Sequence, residues 1–406
     1  MDIACLRENT YAIDLCSRPF NGECLNASEP HGVTIVDSNG VHATRIRYCY
    51  CEGFPNYTTQ LMRARLFPGT MSIPRTIFTF RVLDEFQEHH LASKKAAYDY
   101  VGALQRLSDG AFTLEVPDPY SQFVMAVQVW RHLCLLKWSG QAHDLGSSFP
   151  HCTPGSLVLF CPACPEDGYN MEIGHLNQEQ LELDGNFHLQ QLEKKRYSDP
   201  NDISLETANG IGYFPNKDIY REYQKASSDS SEYCVKLEER FDTHFPELNA
   251  VIEQTRCSIP ALHIEDHKDR CKYEFNSAYI PCSGHFYGEN IEATWVESNQ
   301  LGPATRQMNH GNRIGTITLN YTYWNWLKIT GMHLSLLKAY KEARELFQEK
   351  RQSFLSLCVL YSHQIPSWVE IAQNAPRLPN GIIQGIYEHT KSEVHRGGAG
   401  MARKLA

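Results

Sequence analysis

Fourteen cysteines and 18 histidines are spread over 406 residues, and four groupings have the types and spacing to do chemistry. The first is Cys24, His42, Cys49 and Cys51. Thiolate and imidazole are the ligands that structural Zn²⁺ prefers, and four of them close a tetrahedral shell. Cys49 and Cys51 are two apart and share one face of a strand, whereas His42 falls on the opposite face unless a bulge intervenes. Small buried residues without a metal would give the same pattern. The second grouping is Cys161-Pro-Ala-Cys164, which can supply half a zinc site, completed by His143, His151 and Cys152 upstream or by the first group. A packed loop is the alternative, and the thioredoxin-like βαβ setting that a redox role needs is not visible.

The third grouping is His263, His267 and Cys271, which on a helix form one stripe at i, i+4 and i+8. A metalloprotease would need a Glu directly after the first His, and Glu265 is displaced by one position. A structural metal site and a plain polar helix face both remain open, with Cys257 and Cys282 as spare ligands. The fourth grouping is acidic. Asp184 ends an apolar run and Glu289 and Glu292 lie on or beside a later helix, a set that could hold Mg²⁺ for phosphoryl transfer. With 47 acidic residues in the chain, such sets also arise by chance.

Several elements must position these groups. Residues 33–51 read as two β-rich runs joined by Asn39-Gly40, a dipeptide suited to a tight hairpin turn. Apolar residues recur at helical spacing from Pro74 to Leu107 (Phe78, Val82, Phe86, then Ala97, Val101, Leu104) and again from Tyr120 to Trp138. Gly155 to Cys164 is a short strand-like run ending in CPAC. The stretch LELDGNFHL around Asp184 reads as another strand, and Asn290 to Ser298 as a helix carrying Glu292. The Ser-rich KASSDSSE, Lys225 to Glu232, reads as a flexible join. His333 to Leu360 predicts a long amphipathic helix with Leu337, Tyr340, Leu346, Phe347 and Phe354 inward, followed after Gln384 by a polar, Gly-rich tail expected to be disordered.

Composition narrows the classes. At 46.4 kDa the chain is too long for one core. No apolar run is long enough to span a bilayer, so no membrane partner is expected. The N-terminus lacks the basic and apolar regions of a secretory signal, so the cysteines are expected to stay reduced in an intracellular setting and to favour metal over disulfide. A net charge of −9 argues against coating nucleic acid through bulk charge; DNA contact would need a local patch, and Arg63, Arg65 and Arg75 beside Thr58 and Thr59 offer one.

Taken in order, these motifs resemble the fungal KDZ (Kyakuja, Dileera, Zisupton) transposases with the cysteine-cluster domain that precedes them. In the N-terminal part the resemblance rests on VDSNGVHATRIRYCYCEG, TTQLMRARLFPGT, FTFRVLDEFQ, VWRHLCLLKWSGQAHD and FCPACP; in the C-terminal part on LDGNFHL, ALHIEDHKDRC, GENIEATW, ATRQMNHGNR and NWLK. It implies an α+β chain: a zinc-binding hairpin and helical cysteine-cluster domain over 1–170, a truncated RNase H-like α/β domain over 171–332, a helical extension over 333–384 and a disordered tail over 385–406. It also implies a nuclear, DNA-binding protein acting on transposon ends with Mg²⁺ or Mn²⁺, with Asp184 as the first catalytic acid and Glu289 or Glu292 as the late one.

Departures from the family pattern accompany these implications. The strand carrying a middle Asp is replaced by KASSDSSE, and only 105 positions separate Asp184 from Glu289. Tyr287 stands where an Asp is usual, and Ile317 to Asn320 where an acidic run is usual. The sequence therefore predicts a transposase-derived DNA-binding protein with impaired catalysis, the alternatives being a zinc-stabilised DNA- or protein-binding module without catalysis and a non-functional remnant.

Overall fold

The computed structural model describes residues 12–16, 24–51, 56–141, 258–281, 290–378 and 381–384, with short pieces at 157–159, 161–164, 170–172, 189, 191–192, 211–214, 216, 218, 222, 283 and 288. The fold is mixed α+β and divides into two compact units. One takes residues 1–160, 187–217 and 298–327, the other 161–186, 218–297 and 328–406. Among the described residues no helix is long and apolar enough to cross a membrane.

The first unit is built on a five-stranded sheet in the order β1-β3-β2-β5-β4. Its strands are β1 (Ala12–Asp14), β2 (His31–Asp37), β3 (Gly40–Arg47), β4 (Leu66–Pro68) and β5 (Thr76–Thr79). Strands β2 and β3 form the expected hairpin. Its tip is Ser38-Asn39, one residue earlier than Asn39-Gly40, because Gly40 already pairs with Asp37 as the first residue of β3. Gly40 sits at φ +139, and a Cβ there would lie 2.7 Å from Ser108 Oγ. That hydroxyl accepts the Val41 N–H at 2.6 Å and donates to Leu104 O at 2.8 Å, so the turn is tied to the end of a helix.

Alternation along the strands separates two cores. Val33 and Ile35 of β2, Ile46 of β3, Leu66 of β4 and Ile77 of β5 face one way with Leu15, Tyr48 and Leu61 of α1 (Tyr57–Arg63). Val36, Val41, Phe67 and Phe78 face the other way and are covered by α2 (Phe80–Ser93), α3 (Ala97–Ser108) and α4 (Tyr120–Trp138). Phe78, counted in the helical periodicity, is the last buried residue of β5. The helix starts two residues later, where Thr79 Oγ1 accepts the Val82 N–H at 3.1 Å and donates to Asp37 at 2.6 Å. Phe78, Phe86, Tyr100 and Phe123 interlock, with Phe123 centred 5.5, 5.1 and 5.9 Å from the other three rings.

A third apolar cluster joins Leu91 and Leu135 to Leu157, Ile211, Ile314 and Leu319. The strand-like run expected over 155–164 contributes Leu157 to it, but its described residues form no strand. Ile314 and Leu319 come from the start of a 51-residue helix, α8 (His310–Leu360). Two short helices precede it, α6 (Asn290–Asn299) and α7 (Gly302–Thr305). The second unit holds a single-turn 3-10 helix at His263–Asp266, α5 (Asp269–Glu274) and α9 (Ile365–Asn374). The apolar stripe expected to face inward is exposed: Leu337, Tyr340, Phe347 and Phe354 are 51 to 66% accessible. Buried side chains of α8 are confined to Ile314–Thr322. LELDGNFH, KASSDSSE and the tail after Gln384 lie outside the described residues.

Polar groups buried between α2 and α8 form a closed network. His90 Nδ1 donates to Lys95 O at 3.2 Å, and its Nε2 accepts from Asn320 Nδ2 at 3.2 Å. Asn320 cannot turn over, because its Oδ1 accepts from Lys94 Nζ at 3.1 Å and its Nδ2 also donates to Thr316 O at 2.9 Å. Protonated His90 would therefore set its Nε2–H against the Asn320 amide donor. Burial, with the nearby charges of Arg131 and Lys94, pushes its pKa down to about 4, below the value of about 6.5 in an unfolded chain. The native state thus binds fewer protons than the unfolded state between those values. Its stability is complete above pH 6.5 and falls as the pH drops through 4, by about 3 kcal/mol. Urea midpoints taken from pH 7 to pH 4 should drop more steeply for the wild type than for His90→Gln, which keeps an acceptor and does not titrate.

Candidate metal centre

Four thiols converge beyond the open end of the β1–β3 pair. β1 runs parallel to β3, with Ala12 opposite Arg45 and Asp14 opposite Arg47. Parallel strands leave a sheet at the same edge, so the residues after Asp14 and after Arg47 emerge together. The pairing is extended by the Leu15 N–H to Arg47 O bond at 3.0 Å and locked by a two-point ion pair, Arg47 Nε and Nη2 to the two Asp14 oxygens at 2.6 and 2.9 Å. Leu15 and Tyr48 then enter the core, which presents Cys16 and Cys49 side by side, their sulfurs 3.4 Å apart.

A second connection supplies Cys24. Ala27 bridges antiparallel to Cys49, Tyr50 N–H reaches Asn26 O at 2.8 Å, and Ser28 exchanges two hydrogen bonds with the Tyr48 backbone. Cys24 Sγ consequently lies 3.6 Å from both Cys49 and Cys51. The peptide of Cys49 is gripped by an amide from α1: its N–H donates to Gln60 Oε1 at 2.8 Å and its carbonyl accepts from Gln60 Nε2 at 2.9 Å. Asn56 caps that helix through the Thr59 N–H.

All four sulfurs lie within 4.8 Å of one another. A tetrahedral ion with metal–sulfur bonds of about 2.3 Å spaces its ligands about 3.8 Å apart, close to what is seen, while a disulfide would need about 2.05 Å. None of the four forms a disulfide, and together they could hold a metal ion. Their proton affinities diverge. Burial, then hydrogen bonding with Cys16, pushes the Cys24 thiol up to about 12. Burial works against ionising Cys49, but the hydrogen bonds it accepts, led by the Cys51 N–H at 3.4 Å, outweigh this and lower its pKa. Contact with Cys49 raises Cys51. Four thiolates at this spacing repel one another, and a divalent cation at the centre removes that repulsion.

Cys24, Cys49 and Cys51 are thus brought together as expected, but the fourth member is Cys16. His42 stands seven positions before Cys49 along an extended chain, about 23 Å at 3.3 Å per residue, near the hairpin tip. It is buried there, its Nε2 held by Asn39 Oδ1 at 2.8 Å. The His263, His267 and Cys271 stripe does not form, because the chain is extended at His267 (φ −87, ψ 163) between the 3-10 turn and α5. Both histidines are exposed. Cys161 and Cys164 lie in a turn whose Cys164 N–H reaches Cys161 O. Among the described residues the four-cysteine group is the one cluster of this kind. His143, His151, Cys152, Cys257, Cys282, Asp184 and Glu289 lie outside the described residues; Glu292 lies within α6.

Comparison with known families bears directly on these cysteines. Residues 6–111 match the family described as CxC2 like cysteine cluster associated with KDZ transposases, and all four clustered cysteines fall inside that stretch. Residues 230–325 match the Kyakuja-Dileera-Zisupton transposase family. The chain carries KDZ transposase-related domains. The two matches support a transposase-derived protein. The KDZ transposase match takes in His263, His267, Cys271, Glu289 and Glu292, whereas Asp184, Cys161 and Cys164 lie between the two stretches. Neither the curated proteins nor the solved structures gave a match to the chain.

Metal content separates Cys16 from His42. Purified protein is expected to carry one ion per chain at this cluster, to lose most of it in Cys16→Ser, and to keep it in His42→Ala. Elemental analysis after gel filtration reads the outcome, and full occupancy in Cys16→Ser would reject this ligand set.

Proposed function

We propose that the protein is a DNA-binding descendant of a KDZ transposase, held in shape at its N-terminus by zinc on Cys16, Cys24, Cys49 and Cys51, and unable to cut DNA. The observation that carries this reading is the four-sulfur group inside the stretch that matches the transposase-associated cysteine cluster. Zinc is the ion because four thiolates with no open position make a closed structural site, not a hydrolytic one. Its role is to fix the end of the sheet against α1.

The DNA surface on this reading is the edge beside α1 and β4. Arg63, Arg65 and Arg75 are all exposed there. Arg63 ends α1, Arg65 takes a left-handed φ of 59 at the step into β4, and Arg75 precedes β5. The rigid sheet would present guanidinium groups to phosphates, transposon ends being the natural target and the nucleus the natural location. Residues 171–332 are the RNase H-like remnant in this proposal. Two-metal phosphoryl transfer needs carboxylates converging from separate elements, and Asp184 lies ahead of the residues that match the transposase, with KASSDSSE in place of a middle acidic strand.

Binding to a labelled duplex, followed by anisotropy at rising salt, tests the first half. The logarithmic salt slope should shrink by about 1 for each arginine replaced, about 3 for Arg63→Ala, Arg65→Ala and Arg75→Ala together; an unchanged slope would remove this surface from the proposal. An end-nicking assay with Mg²⁺ and with Mn²⁺ tests the second half. No cleavage is expected from the wild type, and cleavage that disappears in Asp184→Ala would overturn the loss of catalysis.

A further inference from the structure

Arg131, in the middle of α4, is 5% accessible. Its Nη1 donates to Asn312 O at 3.1 Å and to Asn312 Oδ1 at 2.9 Å. These are neutral acceptors, and both are taken by one nitrogen. Among the described residues the remaining N–H groups of the guanidinium have no hydrogen-bond partner, and no carboxylate pairs with the charge. Burial alone pushes its pKa down to about 10, so it stays charged at neutral pH. A buried cation without a counter-charge is strongly unfavourable.

The same guanidinium lines a cavity of about 20 Å³, together with Gln128, Gly315, Thr318, Leu157 and Ile211. One water needs roughly 10–15 Å³ of such space, so the room suits a single small particle. Two further features belong to this space. Thr318 is fully buried and its hydroxyl has no hydrogen-bond partner among the described residues. Gly315 places within the unbroken α8 a residue that disfavours helix, and a Cβ there would come within 3.3 Å of Arg131 Nη1. A positive charge with unused donors, a spare hydroxyl and mostly aliphatic walls describe a receptor for one monatomic anion.

We infer that the cavity between α4 and α8 binds a chloride ion, held by the Arg131 guanidinium and the Thr318 hydroxyl, which supplies the missing counter-charge of the first unit. Urea unfolding at constant ionic strength, with chloride exchanged for gluconate, tests it in solution. Above the dissociation constant, the unfolding equilibrium constant should fall about tenfold for each tenfold rise in chloride. Arg131→Met, which fills similar volume without charge, should lose that dependence, and Gly315→Ala should weaken it. Bromide soaked into crystals of the wild-type protein should give an anomalous peak against Arg131. A chloride response equal in wild type and Arg131→Met, the absence of any response, or bromide only at other sites would each overturn the assignment. If Arg131→Met does not fold, the wild-type bromide peak decides.

Discussion

The short parallel pairing of β1 with β3 is the constraint on which the metal centre depends. Three residues of β1 pair with Arg45, Ile46 and Arg47, and the Asp14–Arg47 ion pair fixes their register. Because the strands run the same way, two chain segments far apart in sequence leave the sheet together. A slip of one residue would turn Leu15 out of the core and Cys16 away from Cys49. The cluster is therefore the continuation of the hydrophobic core into a polar end, with Leu15 and Tyr48 buried directly before Cys16 and Cys49. Tyr48 carries much of this join. It is 2% accessible and packs edge-on against Tyr57 of α1 at 4.4 Å, the same helix whose Gln60 holds the Cys49 peptide.

On the opposite side of the first unit the packing problem is different. The helices over the other sheet face bury aromatic rings, but where α2 and α4 meet α8 buried polar groups sit beside the apolar cluster of Leu91, Leu135, Ile314 and Leu319. Lys94 caps α2 in the left-handed conformation and directs its ammonium inward to Leu91 O and Asn320. Asn320 thereby serves three partners at once, and the chain needs an amide at that place: a carboxylate could not donate to both His90 and Thr316 O. An acidic run at this point of the sequence would break the network, which gives Asn320 a structural reason independent of catalysis.

Much of this was legible because it is local. Alternation in β2 and β3 predicts the hairpin, and the 3.6-residue period predicts α3 and α4. Cys24, Cys49 and Cys51 announce themselves through spacing around one hairpin. Cys16 does not, because β1 is three residues long, carries no alternation to read, and finds its partner 33 positions later; its one signal is that it is the nearest cysteine before Cys24. His42 was drawn in by its type, and strand length, which places it beside the turn, rules it out. The His263 stripe assumed one continuous helix, and the extended backbone at His267 is a local break that periodicity does not register. The family resemblance supplied what spacing cannot, that the cysteine cluster and the later segment travel together.

The exposed stripe on α8 has a consequence for how the protein melts. Beyond Leu327 this helix buries few apolar side chains, so unfolding it brings little new hydrocarbon into water. Such a segment adds little to the heat-capacity change of unfolding, which tracks newly exposed apolar area. Its order comes mainly from repeated backbone hydrogen bonds and pairs such as Lys338–Glu342 at 3.8 Å. The last turns of α8 consequently behave as a helix–coil system, loosening gradually over a broad temperature range. The aromatic core around Phe123 gives way in one cooperative step.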